Sequence, residues 1–143
     1  MTINSDLVLS EELPRADEYR ELRRAAGLST KTREAAERGL PNSLFAAIIR
    51  RNRDLVAMGR VVGDGGCNFE IVDMAVHPDY QRQGLGTKIM GAIMAYIETT
   101  APASAYVSLI ADDHSPALYK KFGFKPTTPR SIGMALRIEN DDI

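Results

Sequence analysis

A single cysteine, Cys67, leaves this chain of 143 residues without any intrachain disulfide framework or thiolate metal cluster, as suits a reducing compartment. A free cysteine usually behaves as a small hydrophobe, so Cys67 is expected as a half-buried strand thiol. Histidine is scarce too. His77 and His114 lie far apart with no helical His pair, so no structural or catalytic zinc site is expected. Charge of one sign is also missing: 18 Lys and Arg against 19 Asp and Glu give a formal charge of −1. With only 6% aromatic residues, that balance argues against a nucleic-acid or anionic-membrane partner. No apolar run approaches the roughly 20 residues of a membrane span. The first ten residues carry Asp6 and lack the basic and apolar regions of a secretory signal. A soluble cytoplasmic protein is the expectation.

The chain is 44% hydrophobic, enough for one core at this length, so residues 1–143 are expected to form a single domain. A short strand begins at Leu7. Pro14 opens a helical stretch in which Ala16, Tyr19, Leu22 and Ala26 recur at helical spacing, and Gly27 ends it. Thr30 is placed to cap a second short helix toward Arg38, with Gly39 and Pro41 as its stop. Residues 44–50 and 55–62 are β-rich and separated by Arg51-Asn52-Arg53-Asp54, a hairpin pattern; a second turn, Gly63-Asp64-Gly65-Gly66, leads into residues 69–76. An antiparallel meander follows. Leu85, Ile89, Ile93 and Tyr96 then trace a helix face to about Glu98, with Pro102 beyond it. Residues 106–111 read as a strand, 115–122 as a short helix and 132–138 as a last strand, ahead of the acidic Glu139-Asn140-Asp141-Asp142. This order suits an α+β, mixed-sheet domain. The last strand is apolar on both faces for most of its length, which predicts an edge that needs covering and, with it, a homodimer.

The informative segment runs from Ile71 to Thr87, where a strand feeds a turn-rich loop that opens directly into an amphipathic helix. Gly84 and Gly86 let backbone approach a ligand closely, and the first helical amides have no intrahelical acceptors. Such donors suit a phosphate, and the helix dipole, Arg82 and Lys88 add to the attraction. Two nucleotide patterns fail in detail. A Walker-type loop needs Gly-Lys-Ser/Thr where this chain has Gly86-Thr87-Lys88, and a Rossmann fingerprint needs a third small residue where it has Ile89.

Gln81-Arg82-Gln83-Gly84-Leu85-Gly86 resembles the Gln/Arg-x-x-Gly-x-Gly/Ala signature of the GNAT superfamily of N-acyltransferases, and Asp73-Met74-Ala75-Val76-His77-Pro78-Asp79-Tyr80 is similar to that family's central strand and its exit. The order of elements agrees along nearly the whole chain. The resemblance implies a mixed, mostly antiparallel central sheet flanked by helices on both faces, and acetyl-CoA as acyl donor. It implies that Gln81, Arg82, Gln83, Gly84, Leu85, Gly86 and Thr87 grip pyrophosphate. Met74, Ala75 and Val76 would bind the pantetheine arm through backbone groups.

The second motif is Leu118-Tyr119-Lys120-Lys121-Phe122-Gly123-Phe124, on a short helix with Ser115 as cap and Pro116 at its first position. By the same resemblance Tyr119 donates a proton to the departing thiolate, a sensible role for a phenol with a pKa of about 10. Ser115 and Asp112 join the expected cofactor contacts. Asp112 stands where family members often carry Asn, so it and Asp113 have two further readings: facing the acceptor amine, or solvated loop charge.

An amine acceptor is mostly ammonium at neutral pH and must lose a proton before it attacks. Glu70 aligns with the glutamate base of histone-type members. Asp73 is the competitor, a water path is the third option, and His114 is an outside candidate. Regular alternation puts Glu70, Val72 and Met74 on one strand face and Ile71 and Asp73 on the other. The acceptor would be read by the N-terminal helices and residues 127–133, whose charges are mixed: Arg20, Glu21, Arg23, Arg24, Lys31, Arg33, Glu34 and Arg130. The reading is an N-acetyltransferase acting by direct attack in a ternary complex, with a primary amine of a small molecule as acceptor. The alternatives are a protein lysine or N-terminal acceptor, and a non-catalytic acyl-CoA-binding sensor.

Overall fold

The computed structural model describes residues 6–112 and 115–139. One sheet carries β1 (Leu7–Ser10), β2 (Phe45–Arg51), β3 (Asp54–Gly63), β4 (Asn68–Val76) and β5 (Tyr106–Leu109), side by side in chain order. β1 to β4 pair antiparallel and β5 joins β4 in parallel. Ahead of the meander lie α1 (Ala16–Ala25) and α2 (Arg33–Gly39). A parallel partner requires a crossover, and α3 (Leu85–Thr100) supplies it. After β5 comes the short α4 (Pro116–Lys120).

The sheet is covered on both faces. Leu85, Ile89, Ile93 and Ile97, four residues apart along α3, pack on Ala47, Ile49, Val61, Phe69 and Ile71. Tyr19 and Leu22 of α1 and Ala36 of α2 pack on Ile48, Met58 and Ala75 from the other side. Burial on two faces explains why β2 reads as a continuous apolar run rather than as an alternating one. Each fully buried Ile or Leu contributes roughly 1.5–3 kcal/mol relative to exposure, so these two layers hold the sheet.

Four sequence expectations are corrected. The cap of α2 is Thr32 rather than Thr30: Thr32 Oγ1 accepts from the Ala35 amide at 3.1 Å. The later start has a cause in α1, because Arg23 Nε donates to the Ser29 carbonyl and Arg20 Nε to that of Lys31, each at 2.9 Å, which holds this stretch out of the helix. Cys67 is exposed and precedes β4, since Asp64 Oδ1 accepts from the amides of both Gly66 and Asn68 and lengthens the turn. Ser115 does not cap α4; its hydroxyl donates to the Asp112 carbonyl at 3.0 Å. Residues 132–138 form no strand among the described residues. Ile132, Met134, Leu136 and Ile138 are 67–85% exposed, because β5 ends the sheet and no ladder receives them.

Candidate active site

β4 is irregular at its centre. Its register against β3 passes from Arg60↔Val72 to Met58↔Ala75, so β4 carries one residue more than β3 over this stretch. That is a β-bulge, and Asp73 within it has φ = 60°. Gly59 faces the bulge: a Cβ there would lie 2.5 Å from Met74 Sδ and 2.7 Å from Ile89 Cγ2. The missing side chain lets Met74 lie between the sheet and α3. The bulge also overturns the regular alternation. Phe69 and Ile71 pack toward α3, which leaves Glu70 and Val72 on the α1 side, and the extra residue turns Asp73 to that same side.

There the Asp73 side chain is 5% exposed and held at both oxygens, by Arg23 Nη1 at 2.5 Å and Arg60 Nε at 2.7 Å. Arg23 donates further to Ser29, and Arg60 Nη1 donates to Ser43 Oγ at 2.7 Å. Tyr19 lies beside both guanidinium groups, and its burial, reinforced by the Asp73 charge, pushes its phenol up to about 12. Both carboxylate oxygens of Asp73 are thus engaged, which places it as the shared counter-ion of Arg23 and Arg60. The sequence held a signal for this cluster: Arg60 and Asp73 each interrupt an apolar strand run, and a charge in a buried strand needs a partner. Glu70 is half-buried between Val62 and Ser108 of the neighbouring strands, with no side-chain hydrogen bond or ion pair among the described residues.

β4 and β5 pair only from Asn68↔Tyr106 to Ile71↔Leu109 and then part. Met74, Ala75 and Val76 therefore keep an open edge on the β5 side. Gln81 ties the following loop to this edge, its Nε2 donating to the Val76 carbonyl at 3.0 Å. After the turn Pro78–Tyr80, Arg82 and Gly84 both take left-handed backbone, φ = 65° and 81°, and α3 starts at Leu85. The amides of Arg82, Gln83, Gly84, Leu85, Gly86 and Thr87 have no acceptor among the described residues; the first engaged amide is that of Lys88, bonded to the Gly84 carbonyl at 3.1 Å. A row of free N–H groups at the positive end of a 16-residue helix is a cradle for an anion.

α4 closes the loop from above. A Cβ on Gly86 would meet Leu118 Cδ2 at 3.4 Å and Val76 Cγ2 at 4.0 Å, so helix, loop and strand end are in contact. Next to Leu118, Tyr119 is 7% exposed and packed into the α3 core cluster. Its burial raises the phenol pKa and the Asp112 charge adds to this, while the Ser115 hydroxyl pulls it the other way. The structure thus gathers Tyr119, Ser115, Asp112, the loop amides and the open β4 edge at one end of the sheet. Asp113 and His114 lie outside the described residues.

Known proteins share this fold. Residues 42–126 match the acetyltransferase (GNAT) domain family. A Staphylococcus aureus protein of unknown function, described as a probable acetyltransferase, is 49% identical, superposes with a TM-score of 0.90, and the match covers 92% of this chain and 99% of that one. A GNAT family acetyltransferase from Streptococcus pneumoniae superposes at 0.75 with 22% identity, covering 94% and 99% of the two chains, a likeness of fold. The ribosomal protein bS18-alanine N-acetyltransferase of Escherichia coli is 36% identical over 75 residues, 52% of this chain and 49% of that one. The chain spans about half the length of the curated relatives it matches.

Proposed function

The chain belongs to the GNAT family of acyl-CoA-dependent acetyltransferases, and from that premise we propose that it moves an acetyl group from acetyl-CoA to a primary amine of a small molecule by direct attack in a ternary complex. The observation that carries the reading is the row of acceptorless amides from Arg82 to Thr87 beside an open strand edge. The two features fit the two halves of the donor. The amides, with Arg82 and Lys88 at the rim, would hold pyrophosphate. The free edge at Met74, Ala75 and Val76 would pair with the amide-bearing pantetheine arm as an added strand does. Bound there, acetyl-CoA supplies a thioester whose carbonyl carbon is open to attack.

Each protein group then has one task. Tyr119, a neutral phenol at physiological pH, delivers its proton to the departing sulfur. Glu70, half-buried on the α1 side with no competing ion pair among the described residues, takes the proton of the incoming ammonium directly or through water. Asp112 and Ser115 order the turn that positions α4. The second reading is a protein N-terminal acceptor, supported by the name of the Escherichia coli relative.

Gly84→Val tests the donor site. A Cβ on Gly84 would have nothing within 4 Å, yet the residue's φ of 81° is costly for a β-branched side chain. The loop must change shape, and acetyl-CoA affinity is expected to fall at least about tenfold, the equivalent of ~1.4 kcal/mol. Lys88→Ala should cost much less. Titration calorimetry giving equal affinities for wild type and Gly84→Val, with unchanged circular dichroism, would remove the loop from the donor site.

The exposed segment 132–138 supports a homodimer in which a second copy covers Ile132, Met134, Leu136 and Ile138. Sedimentation at high micromolar concentration should show the dimer, and Leu136→Glu should shift it toward monomer; a clean wild-type monomer rules the dimer out. A cytoplasmic location goes with this reading, since Cys67 is exposed and has no disulfide partner in the chain.

A further inference from the structure

We infer that the cavity between α1, α2 and β3 holds an anionic group of the acceptor, a carboxylate or a phosphate, so that the enzyme's substrates are amines that also carry negative charge. Only the word acceptor depends on the transferase reading; the cavity and its charges stand apart from it. The cavity measures about 180 Å³ and is lined by Tyr19, Lys31 and Arg60 among apolar neighbours such as Ala36 and Leu40, with no acidic residue. By the same measure a water molecule occupies roughly 10–15 Å³, so the space admits a head group with solvent, while a whole ligand commonly needs about 300 Å³ or more. Part of a substrate fits.

The charges around it do not balance. Arg23 and Arg60 share a single carboxylate, Asp73, and no further acid pairs with either among the described residues. Lys31 adds a second uncompensated cation, with no ion-pair partner among those residues. Arg137 reaches the same region, its Nη2 donating to the Thr30 carbonyl at 2.9 Å. Lys31 is exposed at the mouth of this cavity, and partial desolvation, then the Arg23 charge, lower its pKa against the opposing pull of Asp73. Arg60 also keeps a donor in reserve. Its Nε goes to Asp73 and its Nη1 to Ser43 and Gly39, while Nη2 has no protein acceptor among the described residues. Arg60, with a free N–H, and Lys31 both line this small cavity, an arrangement that an oxyanion completes.

Position gives the cavity its meaning. Arg60 is fastened to Asp73, the bulge residue directly before Met74, so an anion held here sits one strand away from the β4 edge assigned to the pantetheine arm. Its amine would be held at a fixed distance from that edge, and neutral amines would lack the anchor.

The test uses the full chain, Lys31→Gln and Lys31→Arg, with matched acceptors: β-alanine against its amide, and phosphoethanolamine against ethanolamine. Free thiol release is read at constant ionic strength. Lys31→Gln should raise KM for the charged acceptor about 10- to 100-fold, the range of a charge-assisted hydrogen bond, and leave the neutral one unchanged. Lys31→Arg should restore most of the loss. The pair that discriminates tells carboxylate from phosphate, and equal KM for charged and neutral acceptors in wild type overturns the inference. Should no amine release thiol, the transferase reading falls and a second measurement decides this one. Succinate or inorganic phosphate that raises the melting temperature of wild type but not of Lys31→Gln supports the anion site; the same response in both removes it.

Discussion

Tyr119→Phe is expected to lower turnover about 100-fold to 10,000-fold while leaving acetyl-CoA affinity nearly unchanged. Phenylalanine keeps the ring and its packing against the α3 layer, and only the hydroxyl is lost. The pH profile gives the second readout. Burial raises the Tyr119 pKa, and a raised pKa means that the protonated form persists to higher pH. The wild-type rate should therefore hold through neutral pH and fall only above the ordinary phenol value of about 10. In Tyr119→Phe that limb should vanish, because no group remains to lose its proton there. The same sign applies to stability: whatever the neutral buried phenol contributes is present below about pH 10 and lost as pH rises through the folded-state pKa. Unchanged turnover with an unchanged high-pH limb would make Tyr119 a packing residue.

What the sequence disclosed and what it hid divide by range. Helix α3 was legible because Leu85, Ile89 and Ile93 state its buried face locally, and the loop was legible because Gly84 and Gly86 stand at the junction of two periodicities. The meander was legible from two turns, one with Asn52 at φ = 56°. The bulge was not. It depends on Gly59 of β3, Met74 of β4 and Ile89 of α3 meeting in one place, and no window along the chain contains that coincidence. Its effect on the site is large, since it moves Asp73 across the sheet and into a cluster with Arg23, 50 residues away. The segment 132–138 misled for the converse reason: its apolar residues describe a strand, but a strand exists only where an edge receives it.

Asp73→Ala should destabilise the fold by about 3–5 kcal/mol, because it leaves the guanidinium groups of Arg23 and Arg60 buried without their shared counter-ion. The two arginine side chains are 8% and 11% exposed, so water cannot replace the carboxylate without opening the packing of α1 against the sheet. Against a total of about 5–15 kcal/mol for a domain, this is a large share, and the melting temperature should fall by roughly 10–20 °C. Asp73→Asn keeps the shape and one acceptor oxygen, so it should lie between wild type and alanine. Arg23→Met combined with Asp73→Ala should recover part of the loss, since it removes one of the stranded charges together with its partner. The rival role predicts another pattern. If Asp73 were the base, Asp73→Asn would abolish turnover with the melting temperature unchanged, whereas a structural anion predicts a lowered melting temperature and a kcat reduced only modestly below the transition. Thermal unfolding and kcat measured on the same preparations separate the two, and a full loss of turnover at undiminished stability would return Asp73 to the catalytic site.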